Sequence, residues 1–192
     1  MKRFFIAFAV LAAAIAGAQQ DQTSAAPEPE GAVPRQMEAL NKYAGTWTGR
    51  MTLNVPGQES QAWDMTVVEE AYAGGTYHKM SYVMKAANEP DFVGTMMTGW
   101  DRTRGKYHAW TFDSAASTPR EEFGELTANK LVMVSLPQGG MVTRTTYARN
   151  ADGSCTLTIE QKNGGAGGMQ QQVEPTAETW TVIGEAKLAR KA

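Results

Sequence analysis

The sequence predicts an all-β fold: an antiparallel barrel of about ten strands preceded by a short helix. Three observations predict it. Apolar and polar residues alternate with a period of two from Thr46 almost to the end of the chain. Turn signals such as Pro56-Gly57, Gly74-Gly75 and Asn150-Ala151-Asp152-Gly153 cut that alternation into strand-sized pieces. The chain shows no βαβ alternation and no repeat of fixed period. Closing the strands into a barrel removes the unpaired edges that invite aggregation. A two-sheet sandwich remains open on pattern alone.

Residues 1–18 stand apart from the fold. Lys2 and Arg3 precede an apolar run from Phe4 to Ile15, and Ala16-Gly17-Ala18 offers small residues for cleavage. This is the layout of a secretory signal peptide cut after Ala18. The apolar run is well short of the ~20 residues that span a bilayer. The expected location is the periplasm or the exterior. Without Lys2 and Arg3 the formal charge falls from −2 to −4. No basic stripe is left for nucleic acid, and no basic amphipathic helix or lipid-accepting cysteine suggests a membrane anchor. Oligomeric state is not legible. Cys155 is the one cysteine, so no internal disulfide is available. Beyond residue 18, ten methionines stand against three phenylalanines, which implies an adaptable core.

Residues 19–33 are polar and proline-containing, a spacer with too little apolar surface to offset chain entropy. The domain begins at Pro34, within 34–192. Met37 and Leu40 share a helical face up to Tyr43, with Pro34 suited to a first helical position. Trp47, Gly49, Met51, Leu53 and Val55 then alternate with Thr46, Thr48, Arg50, Thr52 and Asn54. Trp63, Met65 and Val67 define one face of the next strand. After the Gly74-Gly75 hairpin signal, His78, Met80, Tyr82 and Met84 share a face. Phe92–Trp100 is apolar on both faces. In Lys106–Asp113, His108, Trp110 and Phe112 form the aromatic face, which is expected to point inward. Shorter strands follow at Glu121–Leu126, Leu131–Leu136 and Met141–Ala148. Thr156–Lys162 comes next, then a glycine-rich loop over 163–176 and a closing strand from Thr179 to Leu188.

The segment Leu40–Arg50 (LNKYAGTWTGR) resembles the opening of the calycin superfamily. It is most similar to a bacterial family of lipocalin-like domains of unknown function that open with A-G-T-W-x-G. Further matches lie at Thr98-Gly99-Trp100-Asp101, Lys106-Tyr107, Trp110-x-x-Asp113, Val142-x-Arg144 and Glu185-x-Lys187-x-x-Arg190. The resemblance implies a barrel with an internal cavity. It also implies that Arg190 packs across Trp47, a structural role worth roughly 0.5–2 kcal/mol of cation–π energy. Haem-binding nitrobindin-like barrels share the Gly-x-Trp opening but use a late histidine as iron ligand, and no histidine follows His108 here. Fatty-acid-binding relatives place Arg-x-Tyr on one inward face. Here Arg144 and Tyr147 are three apart and face opposite ways, which argues against carboxylate capture by that route.

Chemistry-bearing motifs are sparse. The glycine run at 164–168 lacks a Walker lysine, and neither Gly-x-Ser-x-Gly nor His-Glu-x-x-His occurs. Two histidines without matched carboxylates make a poor metal set, and no cofactor is expected. Glu69-Glu70 and Glu121-Glu122 are strand neighbours on opposite faces, so neither pair acts as an acid–base couple, and both are expected to solvate the surface. Cys155 shares a face with Leu157 and Ile159 and is expected to be buried and inert. The leading expectation is a non-enzymatic barrel holding a small hydrophobic molecule. Its pocket would be Met80, Tyr82, Met84, Trp110 and Phe112, with His78 or His108 as polar contacts. The alternatives are an interaction module of the cell envelope, an enzyme pairing His108 with Glu121, or a haem or metal barrel using His78 and His108.

Overall fold

The computed structural model describes residues 32–163 and 179–191. The proposed signal peptide, most of the spacer and most of the glycine-rich loop lie outside the described residues. Helix α1 (Arg35–Asn41) is followed by ten strands: β1 (Gly45–Leu53), β2 (Gln61–Tyr72), β3 (Tyr77–Lys85), β4 (Phe92–Asp101) and β5 (Lys106–Asp113). β6 (Arg120–Thr127), β7 (Lys130–Ser135), β8 (Met141–Arg149), β9 (Cys155–Asn163) and β10 (Thr181–Arg190) complete them. Each strand pairs antiparallel with its sequence neighbours, and β1 pairs with β10. The result is a closed up-and-down barrel rather than a sandwich.

Alternation sets the inside of the barrel. Trp47 and Met51 from β1, Trp63, Met65 and Val67 from β2, and Met80 and Met84 from β3 are all buried. Cross-strand register stacks them in rows, with Met65 opposite Met84 and Met80 opposite Met96. The strand β1 stops at Leu53, one inward position earlier than the alternation suggests. Val55 is exposed beyond it, because Pro56-Gly57 turns the chain there. The closing strand is also irregular, with a bulge between Val182 and Gly184 that shifts its register on β9.

Helix α1 closes one end. It buries Met37 and Leu40, each worth roughly 1.5–3 kcal/mol. Tyr107 donates its hydroxyl to the Gln36 carbonyl at 2.7 Å, and the Asn41 amide donates to the Gly75 carbonyl at 2.9 Å. Next to this plug, Arg190 at the end of β10 lies opposite Trp47 and reaches its ring at 5.6 Å. Its guanidinium also donates to the Ala44 carbonyl. Gly45 has φ of +152°, and a Cβ there would come within 2.8 Å of Arg190 Nε. At Gly49 a Cβ would meet the Lys187 carbonyl oxygen at 2.1 Å, so β1 and β10 can pair this closely only without a side chain. Both glycines beside Trp47 therefore serve the barrel seam.

Cys155 begins β9 with its side chain buried beside Leu157. Burial, opposed by the nearby Arg149 charge, pushes its thiol up to about 11. The folded protein should therefore resist thiol alkylation at pH 8 and react promptly once unfolded. Mass-spectrometric labelling with and without denaturant checks this, and rapid native labelling would contradict the buried placement.

Candidate ligand-binding lumen

The barrel encloses a cavity of about 230 Å³. One wall is thioether and aromatic, built by Met51, Trp63, Met65, Met80, Met84, Phe92 and Met96 from β1 to β4. Such a wall is soft and polarisable, suited to an apolar body of loosely defined shape. Leu157, Ile159 and Ile183 continue it through β9 and β10. Its size corresponds to about ten non-hydrogen atoms, scaling from a ~150 Å³ cavity that takes benzene.

The opposite wall is polar. The β5–β6 hairpin places Thr111 and Asp113 at the end of one strand and Arg120 and Glu122 at the start of the next, all inward. Arg120 Nε donates to Glu122 at 2.7 Å, and Thr111 donates to the same carboxylate oxygen at 3.2 Å. Asp113 lies 3.6 Å from Arg120, beyond hydrogen-bond range, and accepts from the Ala115 backbone amide at 3.1 Å. The two carboxylates are nearly sealed from solvent, with side chains 6% and 3% exposed for Asp113 and Glu122. Burial alone would lower the Arg120 pKa; Glu122, Tyr82 and Asp113 outweigh it and hold the guanidinium charged.

Two phenols face this cluster. A Cβ at Gly94 would sit 2.3 Å from the Tyr82 hydroxyl, so the missing side chain lets Tyr82 lie across β4. Burial first and Asp113 second push the Tyr82 phenol upward. Burial, then Glu122, pushes the partly buried Tyr147 well above its ordinary range. Both therefore stay protonated as neutral donors. In the apolar wall, the Trp63 indole N–H is buried and has no acceptor. A buried donor left in this state costs about 1–3 kcal/mol.

A second polar cluster lies under the lumen, next to α1. Arg149 donates to both oxygens of Glu69 at 2.7 Å, and His78 Nε2 lies 3.4 Å from the same carboxylate. His78 Nδ1 is 3.1 Å from the Asn41 side-chain oxygen. The Arg149 guanidinium also stands over Trp47 at 4.4 Å and Tyr43 at 4.6 Å. The space bordering these groups is about 10 Å³, too small for a ligand.

The expected pocket residues divide accordingly. Met80, Tyr82 and Met84 line the lumen. His78 points inward but belongs to the closed-end cluster. His108, Trp110 and Phe112 point outward, which corrects the inward assignment: Trp110 is 37% and Phe112 52% exposed. The inner positions of β5 are Tyr107, Ala109, Thr111 and Asp113 instead, because the hairpin must carry the polar wall and leave space for the cavity. His108 is held by its outer neighbours, with ring centroids 3.9 Å from Trp110 and 4.3 Å from Phe123. It forms the hydrogen bond to Glu121 that an acid–base pair needs, at 2.8 Å, but on the outer wall. Among the described residues, no group of three or more histidine, cysteine or carboxylate side chains converges as a metal site.

The expectation of solvated carboxylates also needs correcting. Glu70 and Glu121 do face outward, whereas Glu69 and Glu122 are buried and ion-paired. Arg120 and Arg149 are not among the residues expected from sequence, and Asp113 enters there only through the family resemblance. The signal for Glu69 was present, since it continues the inward series of Trp63, Met65 and Val67. Arg144 and Tyr147 do face opposite ways: Arg144 pairs with Glu160 on the outside, at 2.6 Å, and Tyr147 lines the lumen.

The profile of a family described as protein of unknown function (DUF1579) matches residues 34–146. The chain belongs to that family. The match spans α1 to most of β8, so the DUF1579 region carries the methionine wall and the whole polar hairpin. Solved structures share the fold, and two of them illustrate it. The first, Rv2717c from M. tuberculosis, has 15% identity and a TM-score of 0.60, covering 84% of this chain and 100% of its own. The second, an S-type phycobiliprotein lyase, CPES, from Guillardia theta, has 8% identity and a TM-score of 0.51, covering 81% and 92%. At these identities the likeness is one of architecture. No curated protein sequence matches the chain.

Proposed function

We propose that this DUF1579 protein is an exported, non-enzymatic barrel that holds a small, largely apolar molecule in its lumen. The observation carrying this reading is the 230 Å³ cavity, walled by methionines and aromatics and bearing polar groups on one side. Trp63, whose indole N–H has no protein acceptor, adds a group awaiting a partner. The lumen is favoured over the His108–Glu121 pair because it is an interior cavity with room for a small molecule, whereas His108 borders an open groove on the outer wall. Export rests on the three-part pattern of residues 1–18.

Native mass spectrometry of the protein purified from its own exported fraction tests both parts. The expected result is a mature chain starting at Gln19 and carrying a co-purifying small molecule that is released on denaturation. A chain retaining residues 1–18 inside the cell would overturn export. An empty lumen that also takes up no apolar probe would overturn carriage.

A second reading, an interaction module of the cell envelope, is favoured by one observation. Val93, Trp110, Phe112 and Leu136 are exposed along the outer wall around β4 to β7. Recovery of an empty barrel in a stoichiometric complex with another exported protein would select it.

A further inference from the structure

The formal charges of the described residues lining the lumen do not balance. At the closed end Arg149 compensates Glu69. In the lumen Arg120 faces two carboxylates, Glu122 at 2.7 Å and Asp113 at 3.6 Å. The phenols beside them, Tyr82 and Tyr147, are neutral donors and supply no positive charge. Among the described residues lining the cavity, Arg120 is the only cation. One formal negative charge is therefore left over in a largely buried, mostly apolar space. Enclosed charges are stable only when paired and hydrogen-bonded. Asp113 is the carboxylate with spare capacity: one oxygen takes the Ala115 amide, and the other is ion-paired with Arg120 at 3.6 Å without a hydrogen bond from it. Across the cavity the buried Trp63 N–H also lacks a protein partner, an independent sign that something other than protein completes this space.

We propose that the lumen selects a compact organic cation: a protonated amine on an apolar body, with its ammonium on Asp113. This rests on the reading of the lumen as a ligand site and names the ligand's charge. The ammonium donates to Asp113 Oδ2, the oxygen that accepts no protein hydrogen bond, and brings the lumen charge to zero. The aromatic faces of Trp63, Tyr82 and Phe92 and the methionine thioethers receive the apolar body, and rings of this kind also attract a cation. A carboxylate ligand would add a third negative charge beside Asp113 and Glu122, which like-charge repulsion disfavours. A neutral alcohol would fill the same volume and leave the excess charge in place.

Three probes with one shared body separate these cases: phenethylammonium, phenethyl alcohol and phenylacetate, titrated calorimetrically into the purified full chain. Phenethylammonium should bind about tenfold or more tightly than the alcohol, the difference made by a charge-assisted hydrogen bond, and phenylacetate should bind most weakly. In Asp113→Asn, shown to be folded by circular dichroism, the ammonium should lose its advantage over the alcohol. Phenylacetate binding as tightly as the ammonium would overturn the cation assignment while leaving the lumen as a binding site. An ammonium preference that survives Asp113→Asn would overturn the role of Asp113. Binding of none of the three would remove the lumen reading together with this inference.

Discussion

Arg149→Met is expected to lower the unfolding free energy by about 3–5 kcal/mol, because it strands a buried carboxylate. Glu69 is 3% exposed at its side chain and receives both its hydrogen bonds at 2.7 Å from this one guanidinium. His78 Nε2, 3.4 Å away, makes no hydrogen bond to it, and the other ring nitrogen is engaged by Asn41. Methionine keeps much of the arginine's apolar stem, so the loss isolates the charge. Combining it with Glu69→Gln removes both charges, and the double variant should recover a large part of the stability. A double-mutant cycle by denaturant unfolding reads the coupling directly. If Arg149→Met unfolds within about 1 kcal/mol of the parent, Glu69 is reached by water and the cluster is no buried ion pair.

That cluster also shows where the sequence was readable and where it was not. The inward residues of β1, β2 and β3 follow from alternation alone, since Trp47, Met51, Trp63, Met65, Met80 and Met84 are the large apolar residues at every second position of their strands. At Glu69 the phase was equally plain, but residue type argued the other way: a lone glutamate is ordinarily a solvated side chain. Its partner Arg149 lies 80 residues away, beyond any local pattern. In β5 both faces carry large residues, and choosing the aromatic face as the inner one reverses the whole strand, since a one-residue shift of phase exchanges its sides. Interior demand decided otherwise. The cavity needs small and polar groups at Ala109, Thr111 and Asp113, while His108, Trp110 and Phe123 satisfy one another outside. Charge imbalance in the lumen is likewise a property of three dimensions, because it depends on Asp113 and Glu122 both turning inward beside a single Arg120.

Trp47→Ala should cost about 3–5 kcal/mol, the range for deleting a buried aromatic side chain. The indole is 4% exposed and joins elements that are distant in sequence. Its N–H donates to the Tyr43 carbonyl at 3.3 Å, tying β1 to the segment leaving α1. Two guanidiniums stand over its ring. Arg190, the partner implied by the family resemblance, is at 5.6 Å, and Arg149 is closer, at 4.4 Å. Removing the ring therefore loosens the β1–β10 seam and the support of the Arg149–Glu69 pair together. The two arginines should differ sharply when replaced. Arg190 is exposed, so Arg190→Met should cost no more than about 1 kcal/mol, well below the loss from Arg149→Met. Thermal unfolding of Trp47→Ala, Arg190→Met and Arg149→Met in parallel measures this order. An unchanged melting temperature in Trp47→Ala would contradict the seam, and equal losses for the two arginines would contradict the primacy of Arg149. The expected order makes the Trp47–Arg190 pair implied by the family resemblance a minor contact, with the structural weight on an arginine inside the closed end.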